Sequence, residues 1–205
     1  CKAFRPDMLT VLDVVAPTYI VDGKPELNPV GVLCHRIEAR YKLIVGRPAL
    51  RLNVSNSVTG LAGIDIAGIE IAPLSLGDVV LSENEKDLGC ALINFGAGVT
   101  SVAIYKGGKL IDLSVVPLGS NLITKDITAL HVVESEAERL KLTYGAAKAD
   151  REHDMEIPLS AADGSVRKLN LYELNSVVEA RMDEILQNVY ARLESSGALP
   201  SLGAG

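Results

Sequence analysis

The sequence contains no tryptophan and only three cysteines, Cys1, Cys34 and Cys90. The three cysteines are odd in number, far apart and set among apolar residues, which is typical of buried reduced thiols and not of a disulfide framework. Their spacing does not favour a metal site either. We therefore predict a protein of cytoplasmic character without structural disulfides.

The chain also lacks an excess of positive charge and a long apolar run. Its 20 basic residues are scattered and its net charge is -6, so no surface for nucleic acid is predicted. No apolar run approaches the ~20 residues that cross a bilayer, and no signal peptide opens the chain. With 48% hydrophobic and 22% charged residues, the composition is that of a folded globular protein with one large or two small domains.

Histidine, a common acid–base residue, occurs only at His35, His131 and His153. His35 lies on a predicted strand among arginine and glutamate residues, and the other two histidines follow a predicted helix end and fall in a polar loop. A surface role is more common for such residues than a catalytic one. No Ser/His/Asp or Cys/His arrangement can be assembled from the sequence.

A glycine-punctuated stretch from Leu88 to Gly119 is the clearest feature that the sequence does contain. Apolar runs over residues 90–95, 102–105 and 110–116 are separated by Gly96-Ala97-Gly98 and Gly107-Gly108, where glycine supplies positive φ. The pattern predicts two consecutive β-hairpins, followed by a helix over residues 121–130. The first turn presents backbone N–H groups that could cradle a phosphate, although a glycine turn is more often only a turn.

The residues before this stretch predict a small sheet with a covering helix. Strands are predicted over residues 10–15 and 19–21, interrupted at Ala16-Pro17, and a turn at Asp22-Gly23 follows. A long half-buried strand is predicted over residues 33–45. A helix beginning at Pro48 is predicted to end before Gly63, and residues 64–71 return to strand.

The residues after it mix helices with a further hairpin. A helix over residues 73–81 precedes a solvated charged turn over 82–87. Ser135 and Glu138 form a capping-box pattern for a helix that ends before Gly145. Strands over 155–159 and 166–169 flank a turn at 161–164. Asn170 then caps a helix of roughly 25 residues, whose acidic and basic polar face favours packing on the domain's own sheet over membrane binding.

Three segments in this order resemble the FtsA family of actin-like bacterial cell-division proteins, within the actin, Hsp70 and sugar-kinase superfamily. Residues 92–101 (LINFGAGVTS) are similar to its second phosphate loop, D-[IF]-G-G-G-T-T-D. Residues 116–127 (VPLGSNLITKDI) are similar to its P-x-G-G-x-x-[IV]-T-x-D-I, and residues 137–145 (AERLKLTYG) to its A-E-x-x-K followed by Y-G. Residues 21–39 and 68–89 resemble the family's inserted subdomain and its junction, so the resemblance covers essentially the whole chain.

The resemblance implies an α/β fold, in which one half of an actin-like, ribonuclease-H-like ATPase carries a small α+β inserted subdomain. It divides the chain into the inserted subdomain (1–72), a nucleotide-binding subdomain (73–130) and a smaller actin-like subdomain (131–205). The first phosphate loop would lie before Cys1, and the adenine loop and C-terminal membrane helix would follow Gly205. We therefore interpret the chain as a fragment that binds ATP poorly by itself.

The resemblance also implies a site for ATP and Mg²⁺. Glu138 and Lys141 would lie beside the nucleoside, which competes with the capping box, because a Glu138 carboxylate bonded to the Ser135 N–H cannot also hold a ribose hydroxyl. The remaining implied nucleotide contacts are Gly96, Ala97, Gly98, Val99 and Thr100 at the β and γ phosphates, and Gly119 and Ser120 near the ribose.

Two departures from the family motif bear on catalysis. Asn94 and Ser101 stand where the family has acids, and Asn94 would reach Mg²⁺ only through water. Mg²⁺ prefers carboxylate oxygens, and one unit-charge pair at 4 Å is worth about 4 kcal/mol at an effective dielectric constant of 20. We therefore assign no catalytic residue and predict slow or absent ATP hydrolysis. Ala97 replaces a glycine at the phosphate, which predicts a modest loss of affinity.

The family's outputs are assembly into filaments and a link between the FtsZ ring and the inner membrane at the division site. The FtsZ contact is implied within residues 131–197, and self-association and contact with later division proteins within residues 8–72. Two alternatives remain open, a pilus-assembly actin-like ATP-binding protein and a true actin-fold ATPase or kinase. The second requires an acid near the γ phosphate.

Overall fold

The computed structural model describes residues 8–160 and 166–205 and divides the chain into two compact units. The first unit holds the described residues up to Ser82 together with Lys109–Ile111, and the second holds Glu83–Gly108 and Asp112–Gly205. The three-part division at residues 72 and 130 stays a prediction.

The first unit contains an antiparallel sheet in the order β2-β1-β3. Its strands are β1 (Thr10–Val21), β2 (Lys24–Glu26) and β3 (Ile37–Gly46). The predicted turn is confirmed, since Asp22 and Gly23 have φ values of 46° and 81°, which the two-residue hairpin turn requires. The predicted stop at Ala16-Pro17 is wrong. The strand continues through it as a bulge, with a register shift between Val15 and Thr18, because a bulge absorbs an extra residue without ending the pairing.

The strand β3 is shorter and more exposed than predicted. Leu33 is 99% exposed and Ile37 is 52% exposed, and partial burial is continuous only from Leu43 onward. A Cβ built on Gly46 would lie 2.6 Å from Leu12 Cδ1, which marks the buried end of the strand. Cys34, in the preceding loop, is exposed and not buried as predicted, whereas Cys90 is buried.

The helix predicted from Pro48 is confirmed, as α1 (Pro48–Ser55) that continues as a π-helix over Asn56–Leu61. The strand predicted over residues 64–71 is wrong, because this segment forms neither a helix nor a strand before α2 (Ala72–Val80) begins. Its alternating pattern finds no partner strand among the described residues. Alternation alone predicts a strand only where a partner is available.

The second unit begins with α3 (Glu83–Leu88), where a solvated turn was predicted. Its Lys86 is 6% exposed, lies 3.1 Å from the Glu83 carboxylate and stacks over the Tyr105 ring. The pairing and the ring contact offset the cost of burying this charge. The predicted meander is confirmed as β4 (Cys90–Phe95), β5 (Thr100–Lys106) and β6 (Lys109–Val116), in the order β4-β5-β6.

The last residues of the chain lie beside β4. The Gly203 N–H donates to the Leu88 carbonyl (3.3 Å) and the Ala91 N–H donates to the Gly205 carbonyl (2.7 Å). Gly89 has a φ of 97°, and a Cβ there would lie 2.3 Å from the Ser201 carbonyl oxygen. This close approach requires glycine.

The rest of the second unit packs three helices and a hairpin around one core. The elements are α4 (Ser120–Ile127, followed by a 3₁₀ turn over Thr128–Leu130), α5 (Glu134–Tyr144), β7 (Glu156–Ser160), β8 (Val166–Asn170) and α6 (Leu171–Ser195). The predicted hairpin is confirmed, with its turn at 161–164 outside the described residues. The core residues include Ile127, Leu140, Ile157, Leu174 and Val178.

The long helix α6 packs on the strands β5 and β8, as predicted, and also on the helices α4 and α5. The Asn170 side chain caps it by accepting from the Glu173 N–H (3.1 Å), and Arg181 holds the Asp126 carboxylate with two nitrogens (2.6 and 3.0 Å). Each helix in the described residues is too short or too polar to span a lipid bilayer.

Candidate functional site

The loop between β4 and β5 leaves several backbone donors without protein acceptors. The Gly96 N–H donates to the Val99 carbonyl (2.9 Å). The N–H groups of Ala97, Gly98 and Val99 have no backbone or side-chain acceptor among the described residues. Successive unpaired N–H groups of this kind form the usual backbone site for an anion.

The reason for glycine in this loop differs from the predicted one. Neither Gly96 nor Gly98 has positive φ, whereas Gly107 and Gly108 do, at 59° and 66°. At Gly96 the constraint is space, since a Cβ would lie 2.7 Å from the Val99 carbonyl oxygen. At Gly98 a Cβ would meet nothing within 4 Å, so the space above this residue is open.

The N-terminus of α4 holds the loop from the other side. The Gly96 carbonyl accepts from the Ser120 N–H (3.0 Å) and the Ala97 carbonyl accepts from the Asn121 N–H (2.9 Å). These donors are among the N–H groups that a helix leaves unsatisfied at its start. A Cβ on Gly119 would lie 2.4 Å from the Ala97 oxygen, so the contact requires glycine at this position.

Thr100 lies beneath the loop and not on its open side. Its side chain is fully buried and its hydroxyl donates to the Leu118 carbonyl (2.9 Å). The structure therefore does not bring this hydroxyl to the free N–H groups. Instead, this hydrogen bond connects the start of β5 to the segment that precedes α4.

Glu138 and Lys141 on α5 form a polar cluster with Thr124 of α4. The Glu138 carboxylate accepts from the Thr124 hydroxyl (2.5 Å) and lies 2.7 Å from the Lys141 ammonium. The Lys141 ammonium also donates to Thr124 Oγ1 (2.8 Å) and the Ser120 carbonyl (3.4 Å). Hydrogen bonds from Lys141 and then from Thr124 lower the pKa of Glu138.

The predicted capping box is wrong. The helix α5 is capped by Val133, without a side-chain hydrogen bond, and Ser135 is already inside the helix. Glu138 therefore does not reach back to the Ser135 N–H and keeps its carboxylate in the polar cluster. Sequence reasoning did not include Thr124, although it lies in the x-T-x-D part of the motif that carried the resemblance.

Ser120 joins the two parts of the site. Its N–H donates to the Gly96 carbonyl of the loop, and its own carbonyl accepts a hydrogen bond from the Lys141 ammonium. A cavity of about 470 Å³ opens between α4 and α5. Its walls are formed by Asn121, Leu122, Thr124, Lys125, Glu134, Ser135 and Glu138.

Asn94 and Ser101 face each other across the β4–β5 ladder. Asn94 is exposed and Ser101 is buried. An amide and a hydroxyl do not supply the carboxylate charge that Mg²⁺ prefers, and no three His, Cys, Asp or Glu side chains converge in residues 8–160 and 166–205. Asn94 and Ser101 thus do not fit a directly coordinated Mg²⁺, and Asn94 as a water-mediated contact stays a prediction.

The meander, the loop held by a following helix and the helical core define an α/β fold of the actin-like class. Among solved structures, the PilM–PilN type IV pilus biogenesis complex matches 93% of this chain and 46% of its own chain, with a TM-score of 0.62 and 18% identity. That likeness concerns the fold alone.

Residues 91–194 match the family model described as "Cell division protein FtsA". The chain belongs to this family. It is 40% identical over 196 residues to cell division protein FtsA of Porphyromonas gingivalis, covering 95% of this chain and 41% of that relative. It is 37% identical to that of Bacillus subtilis, covering 94% and 44%. The chain thus spans less than half the length of these relatives.

The lowered pKa of Glu138 predicts a pH-dependent contribution to stability. Because the folded pKa is below the ordinary value of 4.5, the contribution is complete above that value and is lost as pH falls through the folded pKa. We expect Glu138→Gln to lower the free energy of unfolding at neutral pH, with a difference from wild type that shrinks as pH falls below 4.5. Urea titrations across this range measure it. The exposed α6 variant Asp183→Asn is the control, and a difference that does not change with pH contradicts the prediction.

The contact between the loop and α4 predicts opposite outcomes for two glycine substitutions. Gly119→Ala should destabilise the chain by about 1–3 kcal/mol, because the new methyl overlaps the Ala97 carbonyl. Gly98→Ala should leave the free energy of unfolding nearly unchanged, since its methyl enters open space. Chemical denaturation of both variants compares them directly. Equal losses in the two variants would show that the close contact at Gly119 is not what requires glycine.

Proposed function

We propose that this chain supplies the phosphate-binding wall of a nucleotide-dependent, actin-like cell-division protein. The observation that carries the proposal is the set of free N–H groups at Ala97, Gly98 and Val99, on a loop fixed by two hydrogen bonds from α4. A donor array that is held in place before the ligand arrives binds phosphate without first ordering itself. Family membership supports the same assignment.

In this proposal the loop contacts phosphate through its backbone and α5 contacts the nucleoside through side chains. The N–H groups from Ala97 to Val99 donate to the β and γ phosphate oxygens of ATP. Gly119 and Ser120 lie next to this loop and toward the ribose. Thr100 acts indirectly, because its hydroxyl is already bonded to the Leu118 carbonyl.

Glu138 is the residue that we propose for the ribose. Its carboxylate is ionised at neutral pH, since its pKa is lowered, and its side chain is 43% exposed. A carboxylate has about four acceptor positions, and Thr124 and Lys141 account for two contacts. The free positions can accept from a ribose hydroxyl, while Lys141, with its side chain 12% exposed, keeps the carboxylate in place.

The proposed activity is nucleotide-gated assembly with slow or absent hydrolysis. Asn94 and Ser101 offer no carboxylate for catalysis near the loop, which disfavours the alternative of a true ATPase or kinase. The pilus-assembly alternative is supported only by a likeness of fold. We further propose that the whole protein self-associates, contacts later division proteins through residues 8–72, and links FtsZ, bound within residues 131–197, to the inner face of the membrane at the division site.

The backbone donors give the proposal a direct spectroscopic test. In amide-resolved NMR spectra of the ¹⁵N-labelled chain, ATP should shift the signals of Ala97, Gly98 and Val99, with a dissociation constant of about 1 mM or weaker, since only one wall of the cleft is proposed here. Gly98→Ala should weaken binding several-fold without changing the free energy of unfolding, because its methyl occupies the open space above the loop.

Gly60→Ala is the matched control, since a Cβ at Gly60 also meets nothing within 4 Å but lies in the first unit. Adenosine without phosphate should shift signals near Glu138 and leave the loop signals in place. Loop signals that do not move with ATP, or that move equally in Gly98→Ala, would overturn the assignment of the loop.

Restoring an acid at position 94 tests the proposed lack of hydrolysis. Asn94→Asp should raise phosphate release from MgATP by about tenfold or more, if the missing charge is worth even a third of the 4 kcal/mol noted above. The measurement uses a full-length protein that carries this segment. Asn188→Asp, on the exposed part of α6, controls for added charge. Brisk hydrolysis by the unsubstituted protein would contradict the proposal.

A further inference from the structure

The terminal strand of the first unit's sheet has an unpaired edge. The strand order is β2-β1-β3, so within the described residues β3 is paired on one side only. It runs for ten residues without proline, and both register shifts place their extra residues on β1. A regular edge strand offers a row of backbone N–H and C=O groups to a further strand.

The charges on this edge are arranged symmetrically about Ala39, with opposite signs. Glu38 precedes Ala39 and Arg40 follows it, and both project from the same face of the sheet because alternate residues share a face. Glu38 is 39% exposed and lies 2.8 Å from Arg36. Arg40 is exposed, and no ion pair is found for it among the described residues.

We propose that β3 pairs antiparallel with β3 of a second copy of this chain, with the two-fold axis at Ala39. In this register Glu38 of each copy lies opposite Arg40 of the other, which makes two cross-strand ion pairs. On the other face Ile37 lies opposite Tyr41, an aliphatic–aromatic pair of residues that are 52% and 38% exposed. On both faces of the sheet, the edge of β3 is thus complementary to the same edge of a second copy.

Charge selects this register over a longer one. Pairing centred on Tyr41 would overlap more residues but would set Arg40 opposite Lys42 twice, and like charges directly opposite are destabilising. Pairing centred on Ala39 also brings Arg36 opposite Lys42, but only at its ends, because Arg36 lies outside β3, and each of these two residues already has a partner. Arg36 pairs with Glu38, and the Lys42 ammonium donates to the Ile111 carbonyl.

The resulting interface is small. Pairing over residues 37–41 is short, so we expect a weak dimer of the transient class. This inference rests on the self-association proposed above for residues 8–72. It specifies the pairing register and names Glu38 and Arg40 as the two charged residues that each copy contributes. It involves no nucleotide, so loss of ATP binding and loss of this contact are separate results.

Charge reversal with sedimentation equilibrium over a concentration series tests the pairing. Glu38→Arg sets positive charges opposite each other in both pairs, and Arg40→Glu sets negative charges opposite each other. Each variant should weaken the dimer by about tenfold or more. Arg51→Glu, an exposed change on α1, should not weaken it, and circular dichroism should show that all three variants keep their fold.

Mixing the two single variants provides the sharper test. One copy then carries two positive positions and the other two negative ones, so the mixture should form a heterodimer at concentrations where neither variant dimerises alone. The double variant Glu38→Arg with Arg40→Glu should recover wild-type affinity within about threefold.

Three results would overturn the interface. These are a wild-type chain that stays monomeric at all concentrations, single variants that dimerise as well as wild type, and a mixture that behaves as the sum of its components. Self-association that persists unchanged in all variants would leave the proposed self-association standing and would reject this surface.

Discussion

Two hydrogen bonds between the β4–β5 loop and the start of α4 determine the geometry of the candidate site. The carbonyls of Gly96 and Ala97 take the first N–H groups of α4, and each such bond contributes about 1 kcal/mol net. Their structural effect is larger than that energy. They turn the loop carbonyls toward the helix and leave the loop N–H groups for a ligand, while the same helix turn receives Lys141. The phosphate side and the nucleoside side of the site are therefore fixed to one element.

Local patterns predicted the elements near this junction, and tertiary contacts decided the details. The glycine-separated apolar runs predicted the meander correctly, because turn chemistry and strand propensity agree there. The reason for glycine at Gly96 was missed, since the carbonyl that excludes a side chain is visible only in the folded loop. The roles of Thr100 and Thr124 were missed for a similar cause. A buried threonine that bonds a distant carbonyl or carboxylate has no signal in spacing.

The two units differ in how strongly their interiors constrain them. The second unit buries Ile104, Ile127, Leu140 and Leu174 completely, whereas in the described β-strands of the first sheet only Val21 is buried. Sequence patterns predict burial well where a core exists to receive the side chains. In the first unit the alternating pattern of β3 correctly predicts a strand, but the face that this pattern predicts to be buried is largely exposed. A small core of this kind gives low local stability, so the first unit should open before the second.

The donors of the loop are backbone amides, which have no side-chain pKa and are present for every residue type except proline. A site built in this way carries no proton of its own to gain or lose near neutral pH. The pH dependence of anion binding at this loop is then set by the ionisation of the ligand alone. Sequence drift at positions 97 and 99 also alters the bulk around the donors without removing them, so the loop can vary in sequence while the N–H array persists. Glycine at position 119, where the helix meets the loop, has no such freedom.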